Sequence, residues 1–178
     1  MPAPENPDPL IAVPLTRRRF LGIGCTTLSG SLVAGIAPGV MGAGAQTVQK
    51  EAYPVVDVVA VDGLKEDAPV AFTYPDSSSP AVVVRLRQPA ASGIGPDNAI
   101  VAYSTLCTHK GCPVAYRPER KLLICPCHWS SFDPAKSGQM VIGQGSQALP
   151  QIALRLNGKM VQATGVSGLI YGRETNIL

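Results

Sequence analysis

The sequence predicts an all-β fold, and three observations carry that prediction. Short runs of strand-forming residues recur from residue 55 onward, clusters of Gly, Pro, Asp and Ser separate them, and no long stretch keeps the 3.6-residue apolar period of a helix. The first run, 55–61 (VVDVVAV), follows Pro54 and stops at Asp62-Gly63. The second, 70–74 (VAFTY), is closed by Pro75 and a loop over 76–80. Next, 82–87 (VVVRLR) leads into a loop over 89–97 that holds two prolines and two glycines. The runs 100–105 (IVAYST) and 121–125 (KLLIC) each feed directly into a cysteine-bearing segment. The last two, 152–156 (IALRL) and 160–163 (MVQA), flank Asn157-Gly158, a type I′ hairpin signal that should pair them.

Composition narrows the function. The net charge of +3 is too mild to suggest a nucleic-acid partner, and an aromatic content of 5% offers no stacking platform for single strands. There is no internal repeat. Chemistry is concentrated instead in CTHKGC, from Cys107 to Cys112, and CPCHWS, from Cys125 to Ser130. Together these hold four of the five cysteines and both histidines. Such clustering points to a metal centre. A structural zinc site is the competing assignment, but zinc motifs usually pair like with like, as in C-x2-C with H-x3-H, whereas both pairs here are mixed. Visible absorption with iron and sulfide analysis separates the two.

The two segments resemble the binding motif of a Rieske [2Fe-2S] cluster, C-x-H-x-G-C followed by C-x-C-H-x-S. In a Rieske centre two thiolates hold one iron and two imidazoles hold the other, so each loop supplies one of each. The resemblance implies one such cluster, with Cys107 and Cys125 on one iron, His109 and His128 on the other, and a disulfide between Cys112 and Cys127. Gly111 and Pro126 suit the tight backbone of such loops. The implied fold is an antiparallel β-sandwich or barrel carrying a small two-loop cluster-binding subdomain at about 105–140, and the histidines are the ligands near the surface. Pro113 to Ile124, between the loops, has room for one turn and one strand.

Residues after the second box bear on the potential. In quinol-oxidising Rieske proteins, Ser and Tyr hydroxyls there hydrogen-bond cluster or ligand sulfur. Ser130 keeps the first and Phe132 removes the second, which lowers the expected potential by about 40 to 65 mV at 1 to 1.5 kcal/mol per bond. Trp129, the single tryptophan, reads as packing more readily than as a partner contact. Lys110, Arg117, Arg120 and Lys121 read as solvated loop charge.

The N-terminus concerns compartment. Thr16-Arg17-Arg18-Arg19-Phe20-Leu21 resembles the twin-arginine export signal; a Gly-diluted apolar stretch over 22–40 and a small-residue site at Ala43-Gly44-Ala45 follow it. Region 1–45 is accordingly expected to be the signal and 46–178 the single Rieske domain, exported folded to the periplasm. A retained signal would leave the protein at the membrane. An oxidising compartment suits the implied disulfide. Cys25 falls inside the signal and reads as a small apolar filler.

Longer runs sharpen the resemblance. CTHKGCPVAY, CPCHWSSFDPAKSGQM, LPQIALRL and GLIYGRETN, beginning at Cys107, Cys125, Leu149 and Gly168, look like the small Rieske subunit of arsenite oxidase. That family implies a heterodimer with a large molybdopterin iron-sulfur catalytic subunit that holds the substrate site. This chain would then carry no catalytic residue and would relay electrons to a cytochrome c or a small copper protein. The main alternative is a quinol-oxidising Rieske protein of a cytochrome bc-type complex, against which the diluted N-terminal segment and Phe132 both count. A Rieske ferredoxin of a ring-hydroxylating oxygenase is disfavoured by the export signal and the extra cysteine pair.

Overall fold

Alternation of buried and exposed side chains organises the computed structural model, which describes residues 52–177. The proposed signal, its cleavage site and Cys25 lie outside the described residues. Ten strands form two antiparallel sheets. The larger contains β1 (Val56–Ala60), β2 (Val70–Thr73), β3 (Pro80–Arg85), β4 (Ile100–Ser104), β9 (Gln151–Asn157) and β10 (Met160–Ser167), in the order β1-β10-β9-β4-β3-β2. The smaller, inserted between β4 and β9, contains β5 (Ala115–Arg117), β6 (Leu122–Ile124), β7 (Ser131–Asp133) and β8 (Gln139–Ile142), in sequence order.

Strands β3 and β4 are the wall shared by two cores. Because successive side chains point to opposite faces, Ala81, Val83, Ile100 and Ala102 enter a core with Ile152, Val161 and Ala163, around which the larger sheet curls. Val82, Val84, Val101 and Tyr103 face the other way, into a core with Val114, Tyr116, Leu123, Phe132 and Leu149. A strand buried on both faces reads as a continuous apolar run, which is why VVVRLR and IVAYST stood out. Each fully buried Val, Ile or Leu contributes about 1.5–3 kcal/mol.

Polar bonds lock the small sheet to the large one. The buried Tyr103 hydroxyl donates to Pro134 O at 2.8 Å, and the Tyr116 hydroxyl donates to Asp67 Oδ1 at 2.8 Å. Asp67 is held in turn by Arg87, whose Nε lies 2.6 Å from Oδ2. The Ala91 N–H donates to Ala135 O at 2.8 Å. The smaller sheet is thus fixed at several points along its base.

All seven expected strands are present, with ends shifted by up to four residues. Three were missed: β5 and β7 have three residues each, without the aliphatic run that marks the equally short β6, and β8 has four. Pro113 to Ile124 therefore holds two strands, β5 and β6, rather than one. The small sheet also runs beyond residue 140, because β8 ends at Ile142. The hairpin differs too. Asn157 pairs with Met160, so the two-residue loop is Gly158-Lys159, with positive φ at Gly158 (59°) and not at Lys159. Glycine at the first loop position is the type II′ pattern, not type I′.

Candidate metal centre

Both cysteine segments follow strands of the shared wall or its neighbour, Cys107 after β4 and Cys125 after β6. They also take the same backbone course. Cys107 N–H donates to Cys112 O at 2.9 Å and Gly111 N–H returns to Cys107 O at 2.8 Å; Cys125 N–H donates to Ser130 O at 2.9 Å and Trp129 N–H returns to Cys125 O at 3.1 Å. The fifth residue of each loop is left-handed, Gly111 at φ 71° and Trp129 at φ 60°. Glycine was the sequence signal for the first. Nothing in the sequence announced the second, where a side chain in this region costs about 1–2 kcal/mol.

The loops bring the candidate residues into pairs. Cys107 and Cys125 are free thiols, each 1% exposed, and the Cys125 thiol lies beside that of Cys107. Burial pushes the Cys107 thiol up, the neighbouring Cys125 adds to the shift, and the backbone N–H groups of His109 and Lys110 oppose it. Two buried thiols side by side suit a shared metal cation, whose positive charge favours the thiolate form of its ligands. The His109 and His128 rings meet edge to face, with centroids 4.6 Å apart and planes at 78°. His128 is exposed, whereas His109 is half-buried and its Nδ1 is a buried polar atom with no hydrogen-bond partner. One thiol pair, one imidazole pair and a buried ring nitrogen free to coordinate are donors that fit a [2Fe-2S] centre with mixed ligation.

Cys112 and Cys127 form a disulfide, with Cα atoms 6.5 Å apart, that ties the two loops across the site. Their sulfurs and that of Cys125 lie within 4.8 Å of one another. Two of those three are spent in the disulfide, so the group is no three-thiolate site. Bridging residues 15 apart in sequence restricts the unfolded chain by about 3 kcal/mol.

A third loop, after β8, was not recognised from the sequence, although GQGS at 143–146 is a Gly/Ser cluster of the kind that marks loops. It closes over both boxes. Gln144 N–H donates to Ser130 Oγ at 3.1 Å, Thr108 Oγ1 donates to Gln147 O at 2.9 Å, and Ser146 Oγ donates to Thr108 O at 2.9 Å. Gly143, at φ 113°, leaves no room for a Cβ against Ser130, and a Cβ on Gly145 would stand 2.8 Å from Thr108 Oγ1. Ser130 and Phe132 are fully buried under this loop.

Three large apolar side chains in and after the second box are exposed. Trp129 is 71% exposed, so it does not pack, contrary to the expectation from sequence. Val141 and Ile142 are also exposed, because a bulge in β8 opposite Ser131 and Phe132 breaks the alternation that would bury one of them. Gly143, next to Ile142, packs on Ser130, next to Trp129, so the chain after β8 meets the second box here. Lys110, Arg117, Arg120 and Lys121 are exposed and form no ion pair among the described residues, as expected of solvated loop charge.

Comparison with known proteins agrees with this geometry. Residues 54–153 match the Rieske [2Fe-2S] domain. Iodate reductase subunit IdrB of Pseudomonas sp. (strain SCT) is 36% identical over 188 residues, spanning 96% of this chain and 95% of that protein. The cytochrome bc1 complex Rieske iron-sulfur subunit of Streptomyces lividans is 44% identical, but over 59 residues, 33% of this chain and 35% of its own. Among solved structures, the soluble domain of Rieske protein II from Sulfolobus acidocaldarius superposes with a TM-score of 0.59 at 22% identity, over 70% of this chain and 85% of its own, which supports the fold. With a domain match over more than half the chain and a relative aligned along nearly all of it, the protein belongs to the Rieske [2Fe-2S] domain family and is an electron carrier of the kind found in oxidoreductase complexes.

Proposed function

We propose that this chain is the electron-transfer subunit of a periplasmic two-subunit oxyanion oxidoreductase, arsenite oxidase being the type its motif runs resemble. The observation that carries the reading is the mixed pair of sites: two buried thiols, Cys107 and Cys125, and two imidazoles, His109 and His128, on loops joined by a disulfide. In this reading those four side chains hold the [2Fe-2S] cluster, which takes up and releases one electron at a time when bound. The protein's own groups do the rest. Burial and the His109 and Lys110 N–H groups hold the Cys107 sulfur, the third loop covers the second box, and exposed His128 and its neighbour Trp129 present the centre to a partner.

The partner proposed is a large molybdopterin iron-sulfur catalytic subunit, which would bind and oxidise arsenite. A cytochrome c or small copper protein would then accept the electrons, after export by the twin-arginine route. Alignment along 96% of the chain with an iodate reductase subunit favours a second substrate, iodate, with electrons running inward. The quinol-oxidising alternative is less well supported, since the bc1 relative aligns over 33% of the chain. Purification of the native complex distinguishes these. Arsenite-dependent bleaching of the oxidised visible spectrum supports the first substrate, and iodate-dependent recovery of the reduced protein supports the second. Co-purification with cytochrome b and no large molybdenum subunit would overturn both.

A further inference from the structure

The C-terminal segment Gly168 to Asn176 is a folded strap rather than a loose end. Ile170 is fully buried, its N–H donates to Asn176 Oδ1 at 2.9 Å, and Asn176 Nδ2 returns to Gly168 O at 2.7 Å. Arg173 N–H donates to Ile170 O at 3.2 Å, closing a turn. Two outward links fix where this turn sits. Gln147 Nε2, on the third loop, donates to Leu169 O at 3.1 Å. On the other side Arg173 grips Asp76 with both guanidinium nitrogens, Nη1 to Oδ2 at 2.7 Å and Nη2 to Oδ1 at 2.8 Å, and Nη2 also donates to Ser78 Oγ at 2.8 Å. Arg173 is 12% exposed, so this bidentate pair is better shielded than a surface ion pair.

Held this way, Tyr171 lies on the first cysteine loop. A Cβ placed on Gly111 would stand 2.6 and 2.7 Å from Tyr171 Cδ1 and Cε1, so the ring covers the bare Cα with no space to spare. Gly111 is the residue whose N–H closes that loop onto Cys107 O, and it precedes disulfide-bonded Cys112. Tyr171 is 39% exposed and belongs to neither buried core cluster, so its side chain serves the loop more than the fold.

We propose that the strap positions the first cluster loop, with Tyr171 as the positioning residue and the Arg173 to Asp76 pair as the latch that sets it against Gly111. Loss of either lets the loop open locally while the sheets stay folded. The inference concerns residues 107–112 as a loop, and only its effect on a bound cluster rests on the ligand assignment proposed above.

The experiment uses the full chain as purified, with the cluster, and follows two local quantities. One is the rate at which dithiothreitol reduces the Cys112 to Cys127 disulfide; the other is amide hydrogen exchange at Gly111, compared with Val83 in the core of β3. Tyr171→Ala and Arg173→Gln should each raise disulfide reduction and Gly111 exchange about tenfold, the factor for about 1.4 kcal/mol of lost closure, with Val83 exchange unchanged. Tyr171→Phe should match wild type, because ring carbons make the contact. Wild-type rates in Tyr171→Ala would overturn the proposal, as would faster exchange at Gly111 and Val83 together, which marks a global loss of stability. The midpoint potential is a further readout that a merely structural role would not move in a protein still folded: it should shift in Tyr171→Ala and stay put in Tyr171→Phe. A chain that binds zinc in place of the cluster yet opens its loop in Tyr171→Ala would refute the proposed function and leave the strap standing.

Discussion

Removing one buried hydroxyl gives a direct test of how the loops tune the site. Ser130 is fully buried, and its Oγ accepts from Gln144 N–H at 3.1 Å. That bond occupies a lone pair and leaves the hydroxyl hydrogen to donate elsewhere. Among the described residues no nitrogen or oxygen accepts it, and buried donors in folded proteins are rarely left unmatched. The acceptor assigned to it in this reading is sulfur of the bound cluster. Such a bond strengthens as negative charge accumulates, so it favours the reduced state. Ser130→Ala should therefore lower the midpoint potential. With about 1 to 1.5 kcal/mol for the lost bond, the one-electron shift is about 40 to 65 mV downward. Stability should suffer little, since Gln144 is exposed and water replaces the acceptor its N–H loses. Voltammetry on the full chain, with the visible spectrum recorded to show an intact cluster, measures the shift. An unchanged or raised potential in a fully loaded variant would refute the assignment of the hydroxyl to sulfur.

The complementary change, Phe132→Tyr, should raise the potential by about 40 to 65 mV, because a phenol at this fully buried position must find an acceptor near the thiols; a loaded variant with no rise would show that the ring points away from sulfur. Tyr116→Phe breaks the bond to Asp67, which stays paired with Arg87, and should cost about 1.5–3 kcal/mol in urea unfolding while leaving the potential unchanged. A variant as stable as wild type would show that this bond does not anchor the small sheet. Hydrogen bonds from Arg173 and Ser78 hold the Asp76 carboxyl well below its usual value of 3.8, so its stabilisation is complete above that pH and is lost as pH falls toward the lowered value. The stability difference between wild type and Asp76→Asn should accordingly shrink below about pH 3.8, and a difference that stays constant down to pH 2 would count against the latch.

Ligand chemistry was legible in the sequence because it depends on residue type at short spacing. CTHKGC and CPCHWS each span six residues, and within one loop the relation of Cys to His is a local matter. The two-faced strands β3 and β4 were legible for a similar reason, since burial on both sides leaves unbroken apolar runs. Strands β5 (AYR) and β7 (SFD) were not, because neither carries the unbroken aliphatic run that marked the equally short β6 (LLI). The turn at Gly158-Lys159 slipped by one residue from the Asn157-Gly158 signal, register being set by pairing along the whole of β9 and β10 rather than by a dipeptide.

What the sequence determined by itself, then, is the all-β class and the two Cys/His segments that carry the proposed ligands, because both follow from local pattern. Only the tertiary structure decided what surrounds them. Gly143 and Gly145 in the third loop, the exposure of Trp129, and Tyr171 against Gly111 all depend on segments far apart in sequence being packed onto one site. Thr108 and Gln147 are 39 residues apart, and Arg173 and Asp76 are 97 apart. No periodicity or motif encodes such separations; they arise when the sheets close and bring those loops to the same end of the fold.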